Sequence, residues 1–499
     1  MKNLRSGFVS AVALKTAGVL VMLFLGGMGL GYFLLGLLIF AAGFFVGSRE
    51  LELNKLHALG ASSVVLFVIN LALYFSAKLV PLVDLSFAVY GLLLCDLAAL
   101  FWQALRLGLI KHPVFPHIRW VAVYLIAILV SGISAAHRKE VLYFFVLNFG
   151  AAVLFYCVVN LLRGFRQGIV VIAKSIALAG FFSALLAVWQ LYSDSFKTLY
   201  FPFIAARDRD IMQSWEVVSR VVGTWQHPSY LGMCLAVSLT ICAYLLLAGR
   251  QRWWQKIFWS LAFVVIAAVL LLTNTRSSVL AGALGVVCVY LFLLSTLPKE
   301  KHLKKTALFA WLGVLGACAL LLYQFGFVSE IYTKPQAWRV DASATIWGRF
   351  LRADSMSTES LVQRSQLYQL AWTTFKEHPL VGVGAKNYQF EVEKVFDKAT
   401  DAHNIFFQTL AEMGVIGFLS LLFLYGSVIF GLAKKWKDAS RDDRVFLAAF
   451  FIIVPMIFVD SFFNNPLYSL RITAIFWLVI ALVYAYFPLI ETPHGQSHH

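Results

Sequence analysis

Asp401-Ala402-His403-Asn404-Ile405-Phe406-Phe407-Gln408 marks the point where a long polar segment ends and an apolar run reaching Ala433 begins. The polar segment starts near Phe327, and a connection between elements normally takes about 4–6 residues. Apolar runs flank it on both sides, and the same texture continues outward to both ends of the chain. The 499 residues are 61% hydrophobic and 13% charged, with a mean hydropathy of +0.79. A soluble protein of this length has too little interior for that composition, so lipid must be the main solvent. The runs are continuous over about 18 or more residues, the length a helix needs to cross hydrocarbon. They do not alternate, which excludes a β-barrel.

The expected fold is therefore all-α, a polytopic integral membrane protein. The candidate spans are Ala11–Gly27, Leu30–Gly47, Ala61–Val80, Asp84–Leu105, Arg119–Ala136, Leu142–Leu162, Ile169–Leu191, Pro228–Leu247, Ile257–Thr273, Ser278–Thr296, Thr306–Gly326, Asn404–Ala433, Phe446–Phe463 and Leu470–Pro488. That is about 14 helices, or about 12 if the short, glycine-rich first pair is a re-entrant hairpin. Four regions follow: N-terminal transmembrane helices over 1–191, helices with a loop at 192–227 and a turn at 274–277 over 192–326, a large loop over 327–403, and C-terminal helices with a tail over 404–499. The large loop carries helical patterning at Leu361–Glu377 and Tyr388–Phe396, separated by His378-Pro379 and the turn-forming pair Gly382 and Gly384.

Orientation follows from the basic loops. Arg106/Lys111/Arg119, Arg163/Arg166, Arg250/Arg252/Lys256, Lys299/Lys301/Lys304/Lys305 and Lys434/Lys435/Lys437/Arg441/Arg444 all fall on one side, which the positive-inside bias assigns to the cytoplasm. Arg138 and Lys139 run against the bias. Tyr192–His227, Asn274–Ser277 and the large loop then lie outside. The net charge of +16 reflects these basic loops, with a phosphate-bearing substrate as the sharper reading. The six cysteines sit in apolar runs and are read as small packing residues without disulfides.

Three polar-to-apolar junctions on the outer side carry chemistry. Arg220 precedes Gly223-Thr224-Trp225-Gln226-His227-Pro228, where proline opens an apolar helix whose N-terminal amides favour anions. Arg276 sits in Thr273-Asn274-Thr275-Arg276-Ser277-Ser278, a turn too short to be a flexible loop, and offers a planar fork for phosphate oxygens. His403 can take a proton from a hydroxyl or donate to a phosphate near neutral pH, with Asp401 beside it and Asn404 at the helix start. Each also has an ordinary reading: a snorkelling arginine, an interfacial anchor and a helix N-terminal polar residue. Asp208 and Asp210 form an Asp-x-Asp flanked by Arg207 and Arg209, read as a charge-mixed loop rather than a metal site.

Taken in order, these motifs resemble the O-antigen ligase family of membrane glycosyltransferases, which also includes O-antigen polymerases. The matching pieces are Arg-x-x-Gly-Thr-x-x-x-Pro at Arg220–Pro228 and Thr-x-x-Arg-Ser at Thr273–Ser277. Arg364 with Trp372 and His-Pro-Leu-x-Gly-x-Gly at His378–Gly384 follow, then His403-Asn404 with Gln408, Glu412, Gly414 and Gly417. The resemblance covers the C-terminal half. It implies a GT-C-like, metal-independent, inverting transferase of the bacterial inner membrane that needs no cofactor. Its partners would be an undecaprenyl-diphosphate-linked glycan donor, a lipid A-core or glycan acceptor and membrane lipids, with no nucleic acid. The active site would face the periplasm. By the resemblance, Arg220 and Arg276 would hold the diphosphate and His403 would assist the acceptor, so these three are the expected catalytic residues. Trp225 and His227 are departures from lighter relatives and bear on donor fit. Asp401, Asn404, Arg364 and Arg339 complete the expected substrate-binding set. Arg349, Arg352, Trp338, Trp347 and Tyr368 could touch sugar or lipid A phosphates, or form a solvated loop face. A polymerase of the same superfamily is the alternative. A lipid-linked glycan transporter is more distant, since charges within spans are few and no matching halves are visible.

Overall fold

The computed structural model describes residues 2–25, 30–48, 51–76, 78–80, 83–193, 195–217, 220–248, 252–296, 355–396, 399–436 and 441–488. Twelve helices precede the large gap in this description: α1 (Lys2–Leu25), α2 (Leu30–Ser48), α3 (Leu53–Leu73), α4 (Leu85–Arg106), α5 (Ile118–Ser131), α6 (Arg138–Leu161), α7 (Arg166–Tyr192), α8 (Ser195–Tyr200), α9 (Ala206–Val217), α10 (Pro228–Ala248), α11 (Trp253–Leu272) and α12 (Arg276–Thr296). After it come α13 (Ser355–Glu377), α14 (Tyr388–Phe396), α15 (Ile405–Trp436), α16 (Arg441–Phe451), α17 (Ile453–Asp460) and α18 (Leu470–Tyr486). Among the described residues seven helices, α3, α4, α6, α7, α10, α11 and α15, are long and apolar enough to cross a membrane, and shorter apolar helices accompany them. The protein is a polytopic helical membrane protein, as its hydropathy demands. The expected span Thr306–Gly326 lies outside the described residues, as do Arg339, Arg349, Arg352, Trp338 and Trp347.

Three expected spans differ in detail. The third begins at Leu53 and ends at Leu73, earlier than Ala61–Val80. Residues 78–80 and 83–84 instead make a two-stranded antiparallel ribbon, β1 (Lys78–Val80) against β2 (Val83–Asp84). The chain is fastened back there by Phe75 N–H donating to Ser86 Oγ (2.6 Å) and Ser86 N–H donating to the Phe75 carbonyl (3.0 Å). The expected Phe446–Phe463 span is two helices, α16 and α17, that meet at Ile452. Pro455 has no N–H for the carbonyl of Phe451, so the ladder breaks one turn upstream. The first pair forms two helices of 24 and 19 residues that pack antiparallel, with Gly18 against Gly36 and Phe40, and Gly43 against Lys15 and Ala11.

α10 is the most enclosed span and packs against α7, α11 and α12. α18 lies along α6, and α15 along α5. Two of the basic loops, around Lys111 and Arg163, meet at one end of the bundle, where Arg163 Nη1 donates to the His112 carbonyl (3.0 Å) and Gly164 N–H donates to the Ala485 carbonyl (2.9 Å). α7 leaves this end at Arg166 and delivers Gln190 to the opposite end, where the three junctions lie.

Candidate functional site

The segment from Arg220 to His227 must turn sharply before Pro228 opens α10, and Gly223 (φ 52°) makes the turn in a left-handed conformation. Its backbone is held by a buried amide: Gln190 Oε1 accepts from Gly223 N–H (2.8 Å) and Val222 N–H (3.3 Å). Thr224 Oγ donates to the Ala72 carbonyl (2.5 Å), and Arg471 Nη1 donates to the Thr224 carbonyl (2.7 Å). Trp225 faces inward. It is 2% exposed, donates Nε1–H to Ser183 Oγ (3.0 Å) and lies 3.5 Å beneath the Arg471 guanidinium. It fills the bundle interior and does not line the junction.

Arg220 joins this segment to the second junction. Its Nε donates to the Thr273 carbonyl (3.1 Å), and its Nη2 to the Asn274 carbonyl (3.3 Å) and Thr275 Oγ (3.0 Å). These are the orphan carbonyls at the C-terminus of α11, where a cation meets the negative end of the helix dipole. Asn274 takes the left-handed conformation (φ 55°) that reverses the chain into α12. Arg276 is the first residue of α12 and is exposed, while Ser277 and Ser278 on the same turn are buried.

The buried side of that turn meets a polar knot. Asn464 Nδ2 donates to Ser277 Oγ (2.7 Å) and to Asp460 Oδ1 (2.9 Å). Ser278 Oγ approaches Asp460 Oδ1 at 3.5 Å, and Ser229 Oγ donates to Asn464 Oδ1 (3.3 Å). Asp460, at the end of α17, thereby lies against the N-terminal turns of both α10 and α12, whose dipoles favour an anion. Arg364, half-buried on α13, is within electrostatic reach of Asp460. Sequence reasoning missed Asp460 and Asn464, although a carboxylate closing an otherwise apolar run was a usable signal.

The third junction packs onto this knot. Asn404 caps α15 by accepting from Phe406 N–H (2.9 Å) and Phe407 N–H (3.2 Å), and its Nδ2 donates to the Phe462 carbonyl (3.1 Å). Ile405 N–H donates to the Ser461 carbonyl (3.0 Å), which fixes the entry of α15 beside the end of α17. His403 has φ 53° and is half-buried. Asp401 accepts from Gln408 Nε2 (3.2 Å). His227 sits between the junctions, within electrostatic reach of both Arg220 and His403. Burial first, then the Arg220 charge and the neighbouring His403 ring, push its pKa down to about 3. Its Nδ1 accepts from Ser229 N–H (3.2 Å), so the neutral ring carries its proton on Nε2.

The His378–Gly384 motif is a docking device. Val383 N–H and Gly384 N–H donate to the Ala411 and Glu412 carbonyls (3.0 and 2.8 Å), and Val415 N–H donates to the Pro379 carbonyl (2.9 Å). Backbone lies directly on backbone here: a Cβ on Gly382 would sit 2.2 Å from the Glu412 carbonyl carbon, and one on Gly414 2.3 Å from that of Leu380. Gly414 (φ 61°, ψ −162°) breaks α15 at this contact. The motif ties the loop helices to the helix that begins beside His403.

Arg220, Arg276, His227, Asp401, His403, Asn404 and Arg364 therefore converge at one end of the bundle, and Trp225 stands apart from them. Asp208 of the Asp-x-Asp pair accepts from Gln226 Nε2 (2.9 Å). Among the described residues, no group of three or more His, Cys, Asp or Glu is arranged to hold a metal ion. The arrangement supplies fixed cations, the N-terminus of α12 and imidazoles at a polar surface, a set suited to an anionic substrate with a transferable group. No curated protein matches the chain. Residues 227–422 match the family model described as O-antigen ligase, with Arg220 just upstream of the matched region. Over residues 227–422 this multi-pass membrane protein is therefore similar to the O-antigen ligase family, a family of glycosyltransferase-type enzymes.

Proposed function

We propose that the protein transfers a glycan from undecaprenyl diphosphate to the lipid A-core acceptor of lipopolysaccharide, at the periplasmic face of the inner membrane, with inversion and without a metal. The observation that carries this reading is the convergence of Arg220, Arg276, His227 and His403 at the bundle end opposite the basic loops around Lys111 and Arg163. Basic loops mark the cytoplasmic side, so the convergence belongs to the periplasmic one.

The chemistry asks little of the protein, because a lipid diphosphate already leaves well. The acceptor hydroxyl oxygen bonds to the anomeric carbon from the face opposite the phosphate, and inversion follows from that single displacement. The anomeric C–O bond breaks, and its electron pair goes to the diphosphate. Arg276, together with the N-terminal turn of α12, holds the growing negative charge, a task that needs no metal. Arg220 fixes the turn that aims Arg276. His403 takes the hydroxyl proton, and neutral His227 offers its Nε2–H to a phosphate oxygen.

The test uses purified protein in nanodiscs with an undecaprenyl-diphosphate oligosaccharide and lipid A-core, read by mass spectrometry. Wild type should form the glycan–lipid A conjugate, with EDTA having no effect. Arg276→Ala and His403→Ala should each lose at least 100-fold in rate with expression unchanged. Longer lipid-linked chains in place of conjugate would make the protein a polymerase, and neither product would refute the transferase reading.

A further inference from the structure

Gln408 lies wholly inside the bundle, one turn into α15, with no solvent exposure. Its side-chain amide makes four hydrogen bonds. Nε2 donates to Asp401 Oδ1 (3.2 Å) and Glu412 Oε1 (2.7 Å), while Oε1 accepts from Ala402 N–H (2.7 Å) and Asn465 Nδ2 (2.9 Å). Two donors and two acceptor sites are all that an amide has. The orientation is also fixed. A flipped amide would turn its oxygen toward two carboxylates and its NH2 toward two N–H donors. Glu412, equally buried, is anchored in turn by the Tyr468 hydroxyl at Oε2 (2.7 Å). The residues immediately before His403 are thus clamped on both sides, Asp401 through its carboxylate and Ala402 through its backbone N–H. The backbone of His403 itself is held at a positive φ that an L-residue rarely adopts unaided.

We propose that Gln408 and Glu412 are positioning residues for the transfer reaction: they lock the Asp401–Ala402 backbone and so hold the His403 imidazole beside His227 and Arg220. The inference rests on the transferase reading for its kinetic arm only. Neither side chain touches substrate; both act through the loop they fasten.

The test perturbs polarity without changing shape. Gln408→Glu places a third carboxylate against Asp401 and Glu412. The triple variant Asp401→Asn/Gln408→Glu/Glu412→Gln reverses the two bonds made by Gln408 Nε2, keeps those received from Ala402 N–H and Asn465 Nδ2, and restores a satisfied set. Two readouts are taken. The first is the rate of diethyl pyrocarbonate modification at His403, resolved by peptide mass spectrometry, with His57 at the far end of α3 as internal control. The second is the split between kcat and the KM for the lipid-linked donor. For Gln408→Glu, His403 labelling should change at least 5-fold with His57 unchanged, and kcat should fall at least 50-fold with donor KM within 3-fold. The triple variant should return His403 labelling to within 2-fold of wild type. Unchanged His403 labelling in Gln408→Glu, parallel changes at His57, or no recovery in the triple variant would overturn the proposal. If wild type transfers no glycan, the transferase reading fails, and the labelling arm still decides the positioning claim.

Discussion

Asp96→Ala should be among the most damaging single changes away from the site. Asp96 on α4 takes Lys15 of α1 at 2.7 and 3.0 Å, with side-chain exposures of 1% and 0%, and also accepts from Ser63 Oγ of α3 (2.5 Å). Lys15 lies in the middle of α1, too deep for its ammonium to snorkel out, with the Phe40 and Phe44 rings 5.7 and 5.6 Å from Nζ. Removing one member of such a pair leaves a charge buried without its counter-ion, at a cost of about 3–5 kcal/mol. Insertion scales give about 2.5–3.5 kcal/mol for a lone lysine at a helix centre. The two aromatic faces are there with or without Asp96 and leave the difference unchanged, so a loss of about 3 kcal/mol is expected, roughly a hundredfold in the folding equilibrium. The assay is unfolding of the purified protein in mixed micelles of rising SDS fraction, compared with Lys15→Leu/Asp96→Leu. Replacing both members by well-packed apolar side chains should return stability to within about 1 kcal/mol of wild type. If Asp96→Ala costs no more than the double variant, the pair does not fasten α1 to α3 and α4, and the reasoning is wrong.

Gly382→Ala forces a Cβ to within 2.2 Å of backbone at φ 67°. The conformation alone costs about 1–2 kcal/mol, and backbone offers no rotamer to relieve the overlap, so the Pro379–Gly384 segment should lift off α15. Trypsin cleavage after Lys386 should then rise at least 10-fold over wild type; an unchanged digestion rate would show that the segment tolerates the methyl group. His227 gives a pH prediction. Its folded-state pKa, about 3, lies below the ordinary 6.5, so between those values the unfolded chain binds the extra proton. Its contribution to stability is complete above pH 6.5 and falls continuously as pH drops toward 3. The thermal stability of wild type relative to His227→Gln should therefore decline between pH 7.5 and 4.5, and a difference that stays flat would place the imidazole in water.

The spans were legible because the lipid requirement is local. About 20 consecutive apolar residues must satisfy their own backbone wherever they occur, and α4, α6, α10 and α11 begin and end within a few residues of their apolar runs. The failures are local too, but of another kind. Pro455 is a break signal in plain view, but because proline is tolerated inside membrane helices, the apolar run around it read as one span although the ladder breaks at Ile452. Lys78 and Val80 read as the end of a span, yet they pair in a ribbon with Asp84 and Val83. The site was legible only as separate junctions. What joins them is non-local: Asn464 reaches Ser229 and Ser277 across more than 180 positions, and Arg471 covers Trp225 across more than 240. No periodicity or spacing encodes such pairings. The same holds for Gly382 and Gly414, which read as a turn former and a motif glycine but are two halves of one backbone contact.

The two arginines, symmetrical in the sequence reading, are unequal in the structure, and this changes what their substitution means. Arg276 stands exposed at the start of α12, where its charge adds to the amides of the helix N-terminus. Arg220 commits its Nε and Nη2 to three acceptors at the end of α11, so it acts on the surface largely through the turn it braces. A lysine at 276 would keep a positive charge at that helix start and lose only the fork geometry. A lysine at 220 has one point donor group where three acceptors around a planar fork must be met, and it would free the Asn274 reversal that aims Arg276. Conservative exchange should therefore be more costly at the arginine that does less direct work on an anion.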